Sequence, residues 1–254
     1  LVALPDCEVE SASSDICVSF AGCAGQRCMA ASVLLLDGEQ DSLLNSLVEK
    51  ASMIQPGSEP KQLGPVIDYA SYQKIVSYIE DAETNGAKIL LDGRAWSFKE
   101  GRNWIGPTII LHNSPNDKTM KEEVFGPILS VYVVKSWEEA VEIENANPFG
   151  NAASVYTSNG GNAEWFISKF RASMLGINIG IPVPREPFSF GGLYGTKSKY
   201  GDMDITGDAA IEFFSNRIKV TSKWPVMRVG NRNPKRSHSE ISGVKDAANF
   251  AGQM

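Results

Sequence analysis

An α/β architecture with a mainly parallel sheet is what this sequence predicts, and three observations carry that expectation. Apolar runs of strand length alternate along the chain with segments whose apolar residues recur at helical spacing. The runs at 32–36 and 128–134 are nearly continuous in apolar residues, as buried strands are. With 254 residues, 43% of them hydrophobic, the chain can bury a substantial core.

Taken in order, residues 1–6 read as a strand end and a turn. Ser13-Ser14-Asp15 can cap a helix over 16–24, broken by Gly22 and Gly25. The strand at 32–36 stops at Asp37-Gly38, and Leu43, Leu44, Leu47, Val48 and Ala51 mark a helix over 40–54. Three prolines and two glycines make 55–65 a loop. Tyr72, Ile75, Val76 and Ile79 share one face of the next helix, which closes at Asn85-Gly86. Strands follow at 87–91, 104–111 and 128–134. Trp137, Ala140, Val141 and Ile143 fit a short helix ending at Asn147-Pro148. Another strand at 152–156 and a turn at 158–161 precede the apolar face Ala163, Phe166, Ile167 and Phe170. Residues 176–180 are strand-like and lead into a proline-rich stretch, and 208–214 is a short helix. Residues 217–222 alternate as an exposed strand does, suited to pairing with another subunit's sheet edge. From 226 onward the chain is polar, basic and aperiodic, and is expected to be a disordered tail.

A net charge of −6 argues against nucleic acid or an anionic membrane as the main partner. No apolar run approaches the roughly 20 residues of a membrane span. Only two histidines occur, His112 and His238, which disfavours a His-dependent triad or a His-rich metal centre. Cys7, Cys17, Cys23 and Cys28 are separated by ten, six and five positions, unlike the close pairs of structural zinc sites, so no metal is assigned. Nothing marks an oxidising compartment, so disulfides are not expected.

Cys28 is the leading functional residue. It ends the small-residue run Phe20-Ala21-Gly22-Cys23-Ala24-Gly25-Gln26-Arg27 and directly precedes a strand. Glycines at 22 and 25 permit a turn that presents both the thiol and its own N–H, which suits a nucleophile that creates an oxyanion. Arg27 beside it would lower the thiol pKa if it pointed that way. By itself this spacing is equally compatible with a buried structural cysteine.

In Glu122-Glu123-Val124-Phe125-Gly126-Pro127 the adjacent carboxylates face opposite sides, making a poor acid–base pair. One of them can accept hydrogen bonds from a sugar, and Phe125 can pack on a flat ring. An acidic loop with a turn is the plain alternative. Residues 191–198 look superficially like a phosphate loop, but Thr196 separates Gly195 from Lys197-Ser198; a flexible glycine loop near the site fits better.

Together these residues resemble the aldehyde dehydrogenase superfamily. The resemblance rests on Gly25-Gln26-Arg27-Cys28, Glu123-Val124-Phe125-Gly126-Pro127 and Asn147-Pro148-Phe149-Gly150-Asn151-Ala152-Ala153, in order and spacing over about residues 1–225. Cys28-Met29-Ala30, Ile181-Pro182-Val183-Pro184 and Phe188-Ser189-Phe190 are most similar to the CoA-acylating methylmalonate-semialdehyde dehydrogenases, although Phe190-Gly191-Gly192 departs from their pattern. The resemblance implies a catalytic thiol domain at 1–200 and a return segment and oligomerisation strand at 201–225, while the tail at 226–254 has no counterpart in the family. It implies that Cys28 attacks a semialdehyde, that hydride passes to NAD, and that CoA takes the acyl group from a Cys28 thioester with loss of CO2. Glu123 would hold the nicotinamide-side ribose beside Phe125, and Phe188 would line the substrate tunnel. Arg27 is a further candidate, for the substrate carboxylate. Relatives form homo-oligomers, dimers or tetramers, in mitochondria of eukaryotes or the cytoplasm of bacteria. Their nucleotide-binding half and oxyanion asparagine precede the cysteine, so a missing upstream portion is expected, and little NAD turnover by this chain alone. The alternatives are a dehydrogenase releasing a free acid and a non-catalytic fragment.

Overall fold

The computed structural model describes residues 1–98, 103–185 and 188–223. The chain divides into two compact units, Leu1–Ser215 and Asn216–Met254. Among the described residues the helices and strands lie in the first: β1 (Val2–Ala3), α1 (Val9–Ala21), β2 (Val33–Asp37), α2 (Asp41–Ser52), α3 (Tyr69–Thr84), β3 (Lys88–Leu91), β4 (Thr108–Leu111), α4 (Lys118–Lys121), β5 (Ile128–Val134), α5 (Trp137–Ala146), β6 (Ala152–Tyr156), α6 (Gly160–Ile167), β7 (Met174–Ile177) and α7 (Gly207–Phe213).

The strands form one seven-stranded sheet in the order β3-β4-β5-β2-β1-β6-β7. Only the edge strand β3 is antiparallel; every other pairing is parallel. Because side chains alternate across a strand, β2 sends Leu34 and Leu36 to one face, where Ile16 and Phe20 of α1 and Leu43 and Leu47 of α2 cover them. Leu35 goes to the other face and joins Ala140 of α5 and Phe166 of α6. Phe166 anchors an aromatic cluster with Trp137, Trp165 and Phe170, its ring centroids 4.9 to 5.5 Å from theirs. On α3, Ile75 and Ile79 pack with Ile110 and Ile128. This is the layered α/β fold expected, with helices on both faces.

Several boundaries differ from the sequence expectation for identifiable reasons. Helix α1 begins at Val9, well before residue 16, because the Glu8 carboxylate accepts from the N–H groups of Glu10 and Ser11 at 3.1 and 2.7 Å. Ser13 and Ser14 are therefore interior, and their hydroxyls donate to the Glu10 carbonyl. The strand expected over 104–111 is confined to Thr108–Leu111, and the one over 176–180 is centred earlier, at Met174–Ile177. Residues 217–222 are exposed and pair with no strand among the described residues of this chain. The tail expected from 226 lies outside the described residues. No described helix is long and apolar enough to cross a membrane.

Candidate active site

Three segments converge because β2, β5 and β6 run parallel. Residues 28–32, 122–127 and 147–151 each lie immediately ahead of one of these strands, so the sheet brings all three to its amino-terminal edge. There they enclose a cavity of about 210 Å³, whose lining includes Arg27, Cys28, Glu123, Phe125, Asn147 and Asn151.

The cysteine turn is shaped by backbone that few residues tolerate. Cys23, Ala24 and Gly25 take φ of 54°, 54° and 67°, all left-handed. Gly22, expected to supply the unusual angle, instead has an ordinary φ of −54° and is needed for space. A Cβ there would stand 2.3 Å from Arg27 Nη2. A Cβ on Gly25 would lie 2.1 Å from the Gly126 carbonyl oxygen, so the turn and the Glu-x-Phe-Gly-Pro segment are in backbone contact. Ala30 N–H donates to the Arg27 carbonyl at 3.0 Å, closing the turn around an exposed Cys28. The Cys28 carbonyl accepts from Asn151 Nδ2 at 3.1 Å. Cys7 and Cys17 are buried, and burial raises both thiols, Cys17 to about 11, which leaves them inert. Cys28 is the exposed thiol that faces the cavity.

The two carboxylates of the second segment separate as their alternation requires. Glu122 Oε2 accepts from the Tyr78 hydroxyl at 2.6 Å; burial first and Glu122 second push that phenol up to about 12. Glu123 is exposed at the cavity and has no hydrogen-bond partner among the described residues. Phe125, 46% exposed, holds a φ of +56° although it is not glycine. Such strain persists only where the surroundings over-determine it. Here buried Val124 on one side and the tight Gly126 on the other do so. Behind this segment His112 is sealed between Asp117 Oδ2 at 2.7 Å and Thr119 Oγ1 at 3.0 Å, and Ser130 donates to Thr119 at 2.8 Å. That chain of hydrogen bonds ties α4 to β5.

Arg27 borders the cavity, but its Nη2 turns back to the carbonyls of Val18 and Ser19, at 2.8 and 3.3 Å. It thereby satisfies the carboxyl end of α1, as cations there commonly do. Its Nε is buried and unpartnered. Phe188 is 71% exposed and stands outside the cavity lining. The glycine loop is near the site as expected, but it is docked rather than loose. Leu193 N–H binds the Gly150 carbonyl at 3.0 Å, Lys197 N–H the Pro148 carbonyl at 2.9 Å, and Ser198 Oγ the Gly150 N–H at 3.0 Å. A Cβ on Gly150 would press on Leu193 and Thr196, so this contact depends on that glycine. The 147–153 motif is visible in the sequence, but the contact of Asn151 with the cysteine turn is not; its only local signal is a polar residue directly ahead of a buried strand. Glu144 also lines the cavity, on α5, and no spacing rule would have marked it.

The aldehyde dehydrogenase family profile matches residues 1–220. Among curated proteins, malonate-semialdehyde dehydrogenase 1 of Geobacillus thermodenitrificans is 38% identical over 228 residues, covering 88% of this chain and 47% of that protein. Malonate-semialdehyde dehydrogenase 2 of Bacillus thuringiensis is 37% identical over the same length, covering 88% and 46%. Among solved structures, methylmalonate-semialdehyde dehydrogenase of Oceanimonas doudoroffii superposes with a TM-score of 0.83 at 32% identity, over 89% of this chain and 47% of that one. A Sinorhizobium meliloti protein provisionally named methylmalonate-semialdehyde dehydrogenase, solved with NAD, has the same TM-score, identity and coverage. The chain thus spans about half the length of the curated relatives it matches.

Proposed function

We propose a function that starts from one premise: this chain belongs to the aldehyde dehydrogenase family. The reading is that it carries the thiol side of an NAD-dependent oxidation of malonate or methylmalonate semialdehyde, with CoA as acyl acceptor. The observation that supports it most is the meeting of an exposed Cys28 with Glu123 and Phe125 in one cavity.

In this reading the Cys28 thiolate adds to the aldehyde carbon, and the carbonyl oxygen becomes an oxyanion that the Cys28 N–H can stabilise. The resulting thiohemiacetal collapses to a thioester as hydride leaves its carbon. Bound NAD supplies the hydride acceptor. The residues present suit it: Glu123 offers an unpartnered carboxylate to ribose hydroxyls, and Phe125 a half-exposed ring to a flat heterocycle. The substrate's carboxylate leaves as CO2, the electrons of the broken C–C bond passing into an enolate of the thioester that takes a proton from water. The thiolate of CoA attacks the thioester carbon as Cys28 departs as thiolate. Arg27 is the candidate partner of that carboxylate, because it is a cation among the residues that line the Cys28 cavity. No step is assigned to Phe188.

The test is to mix the protein with malonate semialdehyde and NAD, then digest it and weigh the Cys28 peptide. An acyl adduct on Cys28 that disappears on adding CoA, with acetyl-CoA formed in step, is expected. Free acid formed at the same rate without CoA would replace acyl transfer by hydrolysis. An unmodified Cys28 peptide under conditions where NAD is reduced would overturn the thioester.

A further inference from the structure

Gly180 forms part of the wall of the Cys28 cavity, and side chains of one helix hold both of its backbone polar groups. Its N–H donates to Asp15 Oδ2, and its carbonyl accepts from Ser19 Oγ at 3.0 Å. Asp15 and Ser19 lie four residues apart on α1, on one face one turn apart. They therefore grip a single residue of a segment that has already left the sheet, since β7 ends at Ile177. Upstream, Asn178 is fixed separately, its N–H donating to the Val155 carbonyl at 2.9 Å and its side chain pairing with the Thr157 backbone. A Cβ on Gly180 would stand 2.7 Å from Ser19 Cβ and 3.1 Å from the Tyr156 hydroxyl oxygen.

Ser19 also reaches the other side of the cavity. Ser19 Oγ also accepts from the Ala31 N–H at 3.3 Å, at the exit of the cysteine turn, and the Ser19 carbonyl receives Arg27 Nη2. Asp15 Oδ2 additionally accepts from the Tyr156 hydroxyl at 2.7 Å, which ties α1 to β6. Ser19 is 1% exposed, and its hydroxyl is used once as donor and once as acceptor. One buried hydroxyl thus spans the gap between the turn that bears Cys28 and the wall that faces it.

We propose that Asp15 and Ser19 are positioning residues that set the width of the Cys28 cavity, and so select small electrophiles over bulky ones at the thiol. The proposal rests on the reading of Cys28 as the reacting thiol. With both bonds in place Gly180 is held against α1 and the turn at fixed separation. Losing either bond frees Gly180 at one end, and the cavity then admits larger groups.

Alkylation tests this without nucleotide. The protein and its S19A, D15A, S19T and D15N variants are treated with iodoacetamide and with the bulkier N-benzyl iodoacetamide, and labelling at each cysteine is followed by peptide mass spectrometry. The preference of Cys28 for the small reagent should fall roughly fivefold in S19A and D15A, in keeping with one hydrogen bond lost at each. It should return to within about twofold of the starting value in S19T and D15N, which keep a hydroxyl and an acceptor oxygen. The preference of exposed Cys23, which does not line this cavity, should stay constant. Buried Cys7 and Cys17 should remain unlabelled. An unchanged preference at Cys28 in S19A and D15A would overturn the proposal. So would labelling of Cys7 and Cys17 that rises together with Cys28, because general loosening would then explain the result. A failure of hydride transfer or of acyl transfer to CoA leaves this measurement intact, so the two readings can fail separately.

Discussion

At Arg27 one side chain faces two demands. Its Nη2 closes the end of α1 through the Val18 and Ser19 carbonyls, while the residue also lines the Cys28 cavity. A substrate carboxylate held by this guanidinium would gain a hydrogen bond to a charged group, worth about 1.5–3 kcal/mol. Replacing Arg27 with Gln should therefore raise the KM for malonate semialdehyde by roughly tenfold or more, while KM for an uncharged short aldehyde changes little. Steady-state kinetics on both aldehydes decides, and an unchanged KM for the carboxylated one removes Arg27 from the substrate site. Gly25 shows the complementary constraint. It combines a φ of 67° with a Cβ position already filled by the Gly126 carbonyl, so no other residue fits without moving the turn off its neighbour.

Helix α1 is the element on which the site depends most. It covers one sheet face with Ile16 and Phe20, grips Gly180 with Asp15 and Ser19, and ends where the cysteine turn begins. Its start is held by Glu8, whose carboxyl lies below the ordinary value of 4.5 chiefly because the Ser11 N–H donates to it. A depressed folded pKa means that the folded chain prefers the ionised form. The cap's contribution is thus complete above 4.5 and fades as pH falls through the lower folded value. A Glu8→Ala variant should unfold at lower temperature than the parent at pH 7, and the difference should shrink as pH drops below 4.5. Thermal melts followed by circular dichroism across that range would show it, and a difference independent of pH would mean that the carboxylate is not the cap.

For the molecule as a whole, a parallel sheet with helices on both faces leaves few ionisable groups half-buried, and Glu144 at the cavity is one of them. Burial raises the Glu144 carboxyl above 4.5, with the Arg171 N–H at 2.9 Å pulling it partly back. A raised folded pKa has the opposite sign from Glu8: the contribution is fully present below 4.5 and is lost as pH rises through the folded value. At neutral pH the ionised group therefore costs the fold stability. Glu144→Gln should raise the melting temperature at pH 7, and the gain should vanish below 4.5. A lower melting temperature at pH 7 would show instead that the Arg171 contact outweighs burial. The relatives named for malonate and methylmalonate semialdehyde are about twice as long as the matched stretch, so the whole reaction is best tested on Cys28 chemistry itself.

By itself the sequence determined the alternation of helices and strands, the parallel sheet, the prominence of Cys28, and the pairing of Glu123 with Phe125 in one motif. These are legible because periodicity and short motifs are local properties. Only the tertiary structure decided that Glu122 is taken by Tyr78 while Glu123 is left at the cavity, and that Arg27 turns toward α1. It also showed that residues 191–198 are docked, that 217–222 pair with no strand among the described residues of this chain, and that Asp15 and Ser19 meet a glycine more than 160 positions away. Such facts depend on which distant groups the sheet register brings within about 3 Å, and hydrogen bonds at that range leave no periodic trace along the chain.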